Sequence, residues 1–376
     1  MSFHLFNAAG GISLSIDGDR IAAGGGALRV NLGGARLLPG LINAHDHLQL
    51  NGALPRLRFR DRYCNASEWI ADITPRLATD PQLLAHRAVP RSQRVFIGGM
   101  KNLLSGVTTV AHHDPRDAAF HDEGFPVDVP ELGGWSHSLA MDGEQAVRES
   151  RQAARPGRAW IVHAAEGIDT AAALEFDRLE ALGCIAPKTL LVHGLGLSAA
   201  QQRRLVTARS GVVWCPGSNL HLFGRTLAPD WLFACGRLAL GSDSRISGRR
   251  DLLAELALVR ELTGWRDEHL EAWVTEAAAR LLGLHDRGRL DVGLRADLIA
   301  LPAGLPLASA TRADLRLVVV GGSPLYADAD LGDVLGLVPV RVDGRPKALA
   351  PHLVHALRAT PLREPGLELL QEEALA

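Results

Sequence analysis

The chain has 376 residues, of which 47% are hydrophobic and 22% charged, and its formal net charge is −2. That composition can bury a sizeable core, which excludes a disordered chain, and the near-neutral balance gives no footprint for nucleic acid. No apolar run reaches the length of a membrane span, and the opening Met-Ser-Phe-His-Leu-Phe-Asn lacks the pattern of a secretory signal, so no membrane partner and a cytoplasmic setting are expected. The four cysteines (Cys64, Cys184, Cys215, Cys235) form no C-x-x-C pair and read as reduced thiols. Histidine is the unusual count, at 15, and several close short apolar runs.

Residues 1–40 are Gly-rich with short alternating stretches such as Ile12–Ile16, and Asp17-Gly18 reads as a hairpin turn. The segment 286–350 has the same character. The two ends together are expected to form one small β-sandwich domain.

Residues 41–285 behave differently. Apolar runs recur at Leu37–Asn43, Gly106–Ala111, Trp160–His163, Leu190–His193, Gly211–Cys215 and Leu238–Gly241. Continuous apolar runs suit strands buried on both faces. Helix-like stretches (80–104, 143–155, 171–182, 199–208, 250–262) separate most of them. Strand and helix in alternation predict an α/β fold with a parallel sheet, and this many units predict a (β/α)₈ barrel. Between His112 and His163 two further strands are needed. Only Phe125–Val129 and Gly134–Leu139 are available, with almost no room between them, so either a helix has been lost or one of these is not a strand. Residues 351–376 read as a short helix and a weakly ordered tail.

The chemistry starts at Leu38-Pro39-Gly40-Leu41-Ile42-Asn43-Ala44-His45-Asp46-His47. Positions two apart share one face of a strand, so His45 and His47 converge at a strand end, where barrel enzymes keep their sites. Paired imidazoles suit a divalent metal. Trp160–Val162 ends in His163 with Glu166 three residues on, Leu190–Val192 ends in His193, and Leu238–Ser242 ends in Asp243. Any one of these is weak; as a set in this order they are specific.

The order and local wording resemble the amidohydrolase superfamily, in particular its cytosine/guanine deaminase and chlorohydrolase-like, mononuclear-metal branch. Pro39–His47 resembles the family's first-strand motif, Gly106–Val110 its second strand, Cys215–Leu220 its seventh, Gly241–Asp243 its eighth, and Gly288–Leu298 its return into the β-domain. The resemblance implies that His45, His47, His163 and Asp243 hold one divalent ion, zinc or alternatively iron(II). It implies that Glu166 shuttles protons, that His193 lies beside the metal towards the developing oxyanion, and that Asp243 also accepts a proton.

Binuclear members of the superfamily bridge two metals with a carboxylated lysine at the fourth strand. Lys101, Lys188 and Lys347 are the only lysines and none falls there, so one ion is expected. His113, His137 and Asn219 are candidate substrate contacts. Arg62, Tyr63 and Trp69 lie on a long loop after His47, and the simpler reading for them is surface packing.

The function expected is a metal-dependent aminohydrolase: metal-bound hydroxide attacks a nitrogen heterocycle and ammonia leaves. Hydrolysis of an amide, a cyclic amide or a chlorinated heterocycle by the same site is the first alternative. A non-catalytic binding protein on the same fold is the second. The partner expected is a small-molecule substrate, and a homodimer is the default assembly. The loops match no substrate signature.

Overall fold

The computed structural model describes residues 2–370. The chain opens with four strands, β1 (Ser2–Phe6), β2 (Leu14–Asp17), β3 (Arg20–Ala22) and β4 (Leu28–Asn31), in the order β3-β2-β1-β4. Asp17 pairs with Arg20 across the expected hairpin, and Gly18 at its first turn position has φ 59°.

β5 (Arg36–Pro39) then leaves this sheet. It pairs antiparallel with β13 (Leu298–Leu301), which runs on through β14 (Leu317–Val320), β15 (Ser323–Asp328), β16 (Val338–Val342) and β17 (Arg345–Leu349). The two sheets from the two ends of the chain share one continuous hydrophobic core, with Phe3, Leu5 and Ile16 on one side and Leu298, Val318 and Val340 on the other.

Between them lies the barrel. Its strands are β6 (Leu41–Asp46), β7 (Val107–His112), β8 (Gly134–Ser136), β9 (Trp160–Ala164), β10 (Thr189–His193), β11 (Gly211–Trp214) and β12 (Leu238–Leu240). β8 to β12 form one parallel run, and β6 and β7 a parallel pair. The runs meet where the Asp243 amide donates to the His45 carbonyl at 3.1 Å. β6, β7, β10, β11 and β12 are buried along their whole length, which is what their unbroken apolar runs require.

The crowded region resolves in an unexpected way. Phe125–Val129 is not a ladder strand; it touches β7 through a single bridge, Thr109 to Asp128, with the Val110 amide donating to the Asp128 carbonyl at 2.9 Å. No α-helix separates it from β8. Segment 125–129 thus stands beside β7 in the third barrel position with a one-residue bridge, and no helix follows it before β8.

Three other stretches depart from the sequence reading. The long loop after His47 contains a helix, α1 (Ala66–Arg76), which carries Trp69. Its start is an Asn-x-x-Glu cap: Asn65 Oδ1 accepts from the Glu68 amide at 3.2 Å and Glu68 Oε2 accepts from the Cys64 amide at 2.9 Å. The stretch 80–104 is two helices, α2 (Pro81–Ala88) and α3 (Arg91–Leu104), because Pro90 has no amide proton and holds Val89 extended. After the C-terminal helix Pro351–Ala359 the chain does not trail away. β18 (Leu367–Leu369) pairs with β16, and the Glu364 side chain is buried. Residues 371–376 of the expected tail lie outside the described residues. No helix among the described residues is long and apolar enough to cross a membrane.

Candidate metal centre and its cavity

His45 and His47 leave β6 two residues apart, and β9, β10 and the turn after β12 bring His163, His193 and Asp243 to the same end of the barrel. The His45 ring centroid is 4.8 Å from that of His47 and 5.0 Å from that of His163. Asp243 Oδ1 lies 3.7 Å from His45 Nε2 and 4.0 Å from His47 Nε2. His193 and Asp243 adopt left-handed backbone angles (φ 74° and 54°), uncommon for residues with a Cβ and concentrated at functional sites. Gly241 is required by close approach: a Cβ there would lie 2.7 Å from the Cβ of His45.

The hydrogen bonds assign the nitrogens. His47 Nδ1 is 2.6 Å from Asp114 Oδ2, and His163 Nδ1 is 2.8 Å from the His137 carbonyl. Both partners accept, so both Nδ1 atoms carry the proton and both Nε2 atoms present lone pairs. Those Nε2 atoms face each other at 3.2 Å. His45 is fully buried with neither ring nitrogen hydrogen-bonded. Lone pairs converging from three imidazoles, with a carboxylate beside them, would be costly in a buried site unless a cation sat among them. The donor set therefore fits one divalent metal with nitrogen and oxygen ligands.

The charges follow the same logic. Burial works against charge on His47, but the hydrogen bond and charge of Asp114 outweigh it and hold its pKa up at about 9, so a metal ion at Nε2 would displace a proton from that nitrogen. Burial disfavours the Asp243 carboxylate, yet His45, His47 and His193 keep its pKa well below the usual range. Ser247 Oγ donates to Asp243 Oδ2 at 2.7 Å and the Ser244 amide to Oδ1 at 2.7 Å, which sets its orientation. Glu166 is pushed the other way: burial, then the Asp243 charge, raise its pKa well above the carboxylate norm. Its Oε1 lies 3.4 Å from His193 Nε2. Burial brings His193 down to about 4, and its Nδ1 is 2.9 Å from Asn219 Oδ1. Glu166 and His193 thus face each other across the floor of the site.

A cavity of about 450 Å³ opens onto this cluster, reaching His47, Asp114, His163, Glu166, His193 and Asp243. His137 also lines it, with Nε2 4.0 Å from Asp114 Oδ1. The other two expected substrate contacts do not reach it. His113 is fully buried, its Nε2 2.7 Å from the Ser136 carbonyl and its ring stacked on His163 at 4.2 Å. Asn219 is spent on His193 and Thr226. Both side chains turn into the barrel wall and support site histidines. Trp69, expected as surface packing, lines the cavity instead.

The sequence reading missed two groups. Asp114 follows the end of β7 and could have been found by the strand-end rule that found Asp243. Asp46 and Lys101 form a fully buried ion pair at 3.0 Å below the cluster. Lys101 Nζ also donates to Asn51, Ser242 and the Asp243 carbonyl at 3.0, 3.1 and 2.8 Å. Lys101 is close to the site after all, but as a cation whose hydrogens are all engaged.

A barrel whose strand ends deliver His-x-His, His, His and Asp to one point, flanked by a β-sandwich from both termini, is the class of structure this chain presents. The sequence profile of the amidohydrolase family matches residues 141–325, just under half of the chain. It is 32% identical over 200 residues to 8-oxoguanine deaminase of Pseudomonas aeruginosa, covering 47% of this chain and 43% of that protein. The matched stretch thus spans less than half the length of that relative. It is 26% identical to 5-methylthioadenosine/S-adenosylhomocysteine deaminase of Halobacterium salinarum, over 84% of this chain and 87% of that one. Among solved structures, an adenosine deaminase from Xanthomonas campestris with bound zinc superposes with a TM-score of 0.67 at 20% identity, covering 83% of this chain and 87% of that one. Atrazine chlorohydrolase from Arthrobacter aurescens complexed with zinc gives 0.67 at 17%, covering 89% and 98%. These likenesses define the fold.

Proposed function

We propose that the protein is a metal-dependent aminohydrolase that deaminates a nitrogen heterocycle. The observation that carries this reading is Glu166, a largely buried carboxyl whose Oε1 lies 3.4 Å from His193 Nε2 on the same cavity as His47, His163 and Asp243. His45, His47, His163 and Asp243 would hold one ion, zinc or iron(II). Such an ion lowers the pKa of a bound water to about 7 and so supplies a nucleophile at neutral pH.

The chain's own groups supply the proton transfers. Asp243, oriented by Ser247 and Ser244, takes the proton of the attacking water. Glu166 gives its proton to a ring nitrogen, which makes the adjacent carbon electrophilic. His193 Nε2, 3.4 Å from Glu166 Oε1, accepts from that carboxyl and holds it towards the ring nitrogen. The departing amine takes the proton held on Asp243 and leaves as ammonia, and the hydroxyl proton of the adduct returns to Glu166 as the carbonyl forms, so that water plus the amino-heterocycle becomes the oxo-heterocycle plus ammonia.

The deaminase names of the relatives at 32% and 26% identity favour this over amide or halide hydrolysis. The test is metal analysis of purified protein followed by an ammonia assay across amino-heterocycles. Ammonia release that disappears with a chelator, returns with zinc and falls ~100-fold or more in Glu166→Gln is expected. Release of chloride or a carboxylic acid without ammonia would turn the assignment to the alternative hydrolases. Protein that binds no metal and turns nothing over would make it a binding scaffold.

A further inference from the structure

The cavity is divided. Its floor carries the His, Glu and Asp cluster, whereas the wall leading to it is apolar: Leu50, Trp69, Ile70, Ile73, Leu77 and Met141 all line it. The α1 residues recur at 69, 70, 73 and 77, so one face of this helix is turned to the cavity. Ile73 of that face packs with Leu83 and Ile246 in a small buried cluster separate from the main core, and the Trp69 ring is fixed by its Nε1–H donating to the Leu57 carbonyl at 3.0 Å. Met141 is 53% exposed, an unusual position for a large apolar side chain.

Charge separates the possible occupants further. The ionisable side chains on the cavity are His47, Asp114, His137, His163, Glu166, Glu175, His193 and Asp243, and no lysine or arginine lines it among the described residues. Along the arm wall, away from the metal cluster, a phosphate or carboxylate on the ligand would meet apolar carbon with no lysine or arginine to pair with, at the cost of a desolvated charge.

We infer that the substrate is a neutral, two-part molecule: a hydrolysable head at the cluster and an alkyl or aryl arm lying along α1. This rests on the hydrolase reading of the floor and adds the class of molecule that reaches it. It sets aside phosphorylated and carboxylated substrates.

The inference is tested on the zinc-loaded protein with three hydroxamates, whose common head binds metal ions: acetohydroxamate, octanohydroxamate and suberic acid monohydroxamate. Calorimetry should show octanohydroxamate binding at least tenfold more tightly than acetohydroxamate, and its carboxylated counterpart losing most of that gain. Ile70→Glu and, on an exposed position that folding tolerates, Met141→Glu should each cut the advantage of the alkyl chain at least threefold, with zinc content and melting temperature close to those of the parent. Equal affinities for the short and long chains, or a carboxylated arm bound as tightly as the plain one, would overturn the inference. The ammonia assay is read separately. Deamination without any preference for an arm would sink this inference alone, whereas tight binding of the octyl arm with no ammonia from any heterocycle would uphold the apolar arm site and sink the reaction.

Discussion

At the scale of single residues, the most consequential pair is His47 with Asp114. A histidine that coordinates through Nε2 needs its proton on Nδ1, and a carboxylate at 2.6 Å fixes that tautomer and the ring plane. Gln49 Nε2 donates to the same Asp114 oxygen at 2.6 Å, so the carboxylate is itself held. Asp114 is a positioning residue, and its replacement should weaken the metal site before it weakens anything else. Asp114→Ala is expected to lower zinc affinity ~10–100-fold, measured by competition with a chromogenic chelator, and Asp114→Glu should recover part of the loss. Unchanged zinc affinity in Asp114→Ala would show that the pair only packs. Asp114 was readable in principle, since it stands just past the end of a strand. Asp46 and Lys101 were not, because 55 residues separate them and nothing local in the chain says that α3 lays its lysine beneath β6.

At the scale of elements, the C-terminal segment does more than its sequence suggests. Glu364, fully buried, accepts from Arg245 at 2.6 and 2.8 Å and from Arg312 at 2.6 Å. Arg245 also donates to the Gly52 carbonyl, and its amide to Asn51. Arg245 belongs to the turn that carries Asp243, Ser244 and Ser247, so β18 and the segment before it clasp the loop that presents the carboxylate ligand. Removing Glu364 leaves Arg245 buried without a carboxylate partner, whereas Arg312 keeps Asp343. Glu364→Ala should therefore cost about 3–5 kcal/mol, read by denaturant unfolding. Glu364→Gln should cost less, and both should leave zinc bound more weakly than in the parent. Pairing across such distances comes from the folded topology; the short apolar runs of residues 360–370 announce only a helix and a tail. The Asn65-x-x-Glu68 cap of α1, by contrast, is a local feature of the sequence, an Asn three residues before a Glu.

At the scale of the whole molecule, buried titratable groups with opposed shifts set the pH range of stability. Burial lowers His112 to about 4 from an ordinary 6.5. The unfolded chain takes up that proton first on acidification, so the stability His112 contributes is present above about pH 6.5 and lost as pH falls towards 4. Burial raises Glu255 to about 7 from an ordinary 4.5, although the Arg249 and Gly217 amides both donate to it at 2.9 Å. Its contribution is present below about pH 4.5 and lost as pH rises through 7. Melting temperatures measured between pH 5 and 8 should show this in two variants. The difference between parent and His112→Gln should shrink on acidification, and the difference between parent and Glu255→Gln should shrink on alkalinisation. Parallel pH profiles for parent and variants would refute the assignment.

What the chain alone decided is the alternation that makes a barrel and the identity of the residues at its strand ends. Both are local: a strand buried on two faces must be continuously apolar, and a side chain at its exit must point to the mouth of the barrel. His45, His47, His163, Glu166, His193 and Asp243 were legible for that reason. The tertiary structure alone decided which polar residues face the cavity and which support it. His113 and His137 look alike in the sequence, yet one turns into the wall and the other to the cavity. It also decided that α1 offers its apolar face to that cavity, and that a carboxylate more than a hundred residues after Asp243 holds the loop carrying it. These depend on distances between segments far apart in the chain, and such distances exist only once the core has packed.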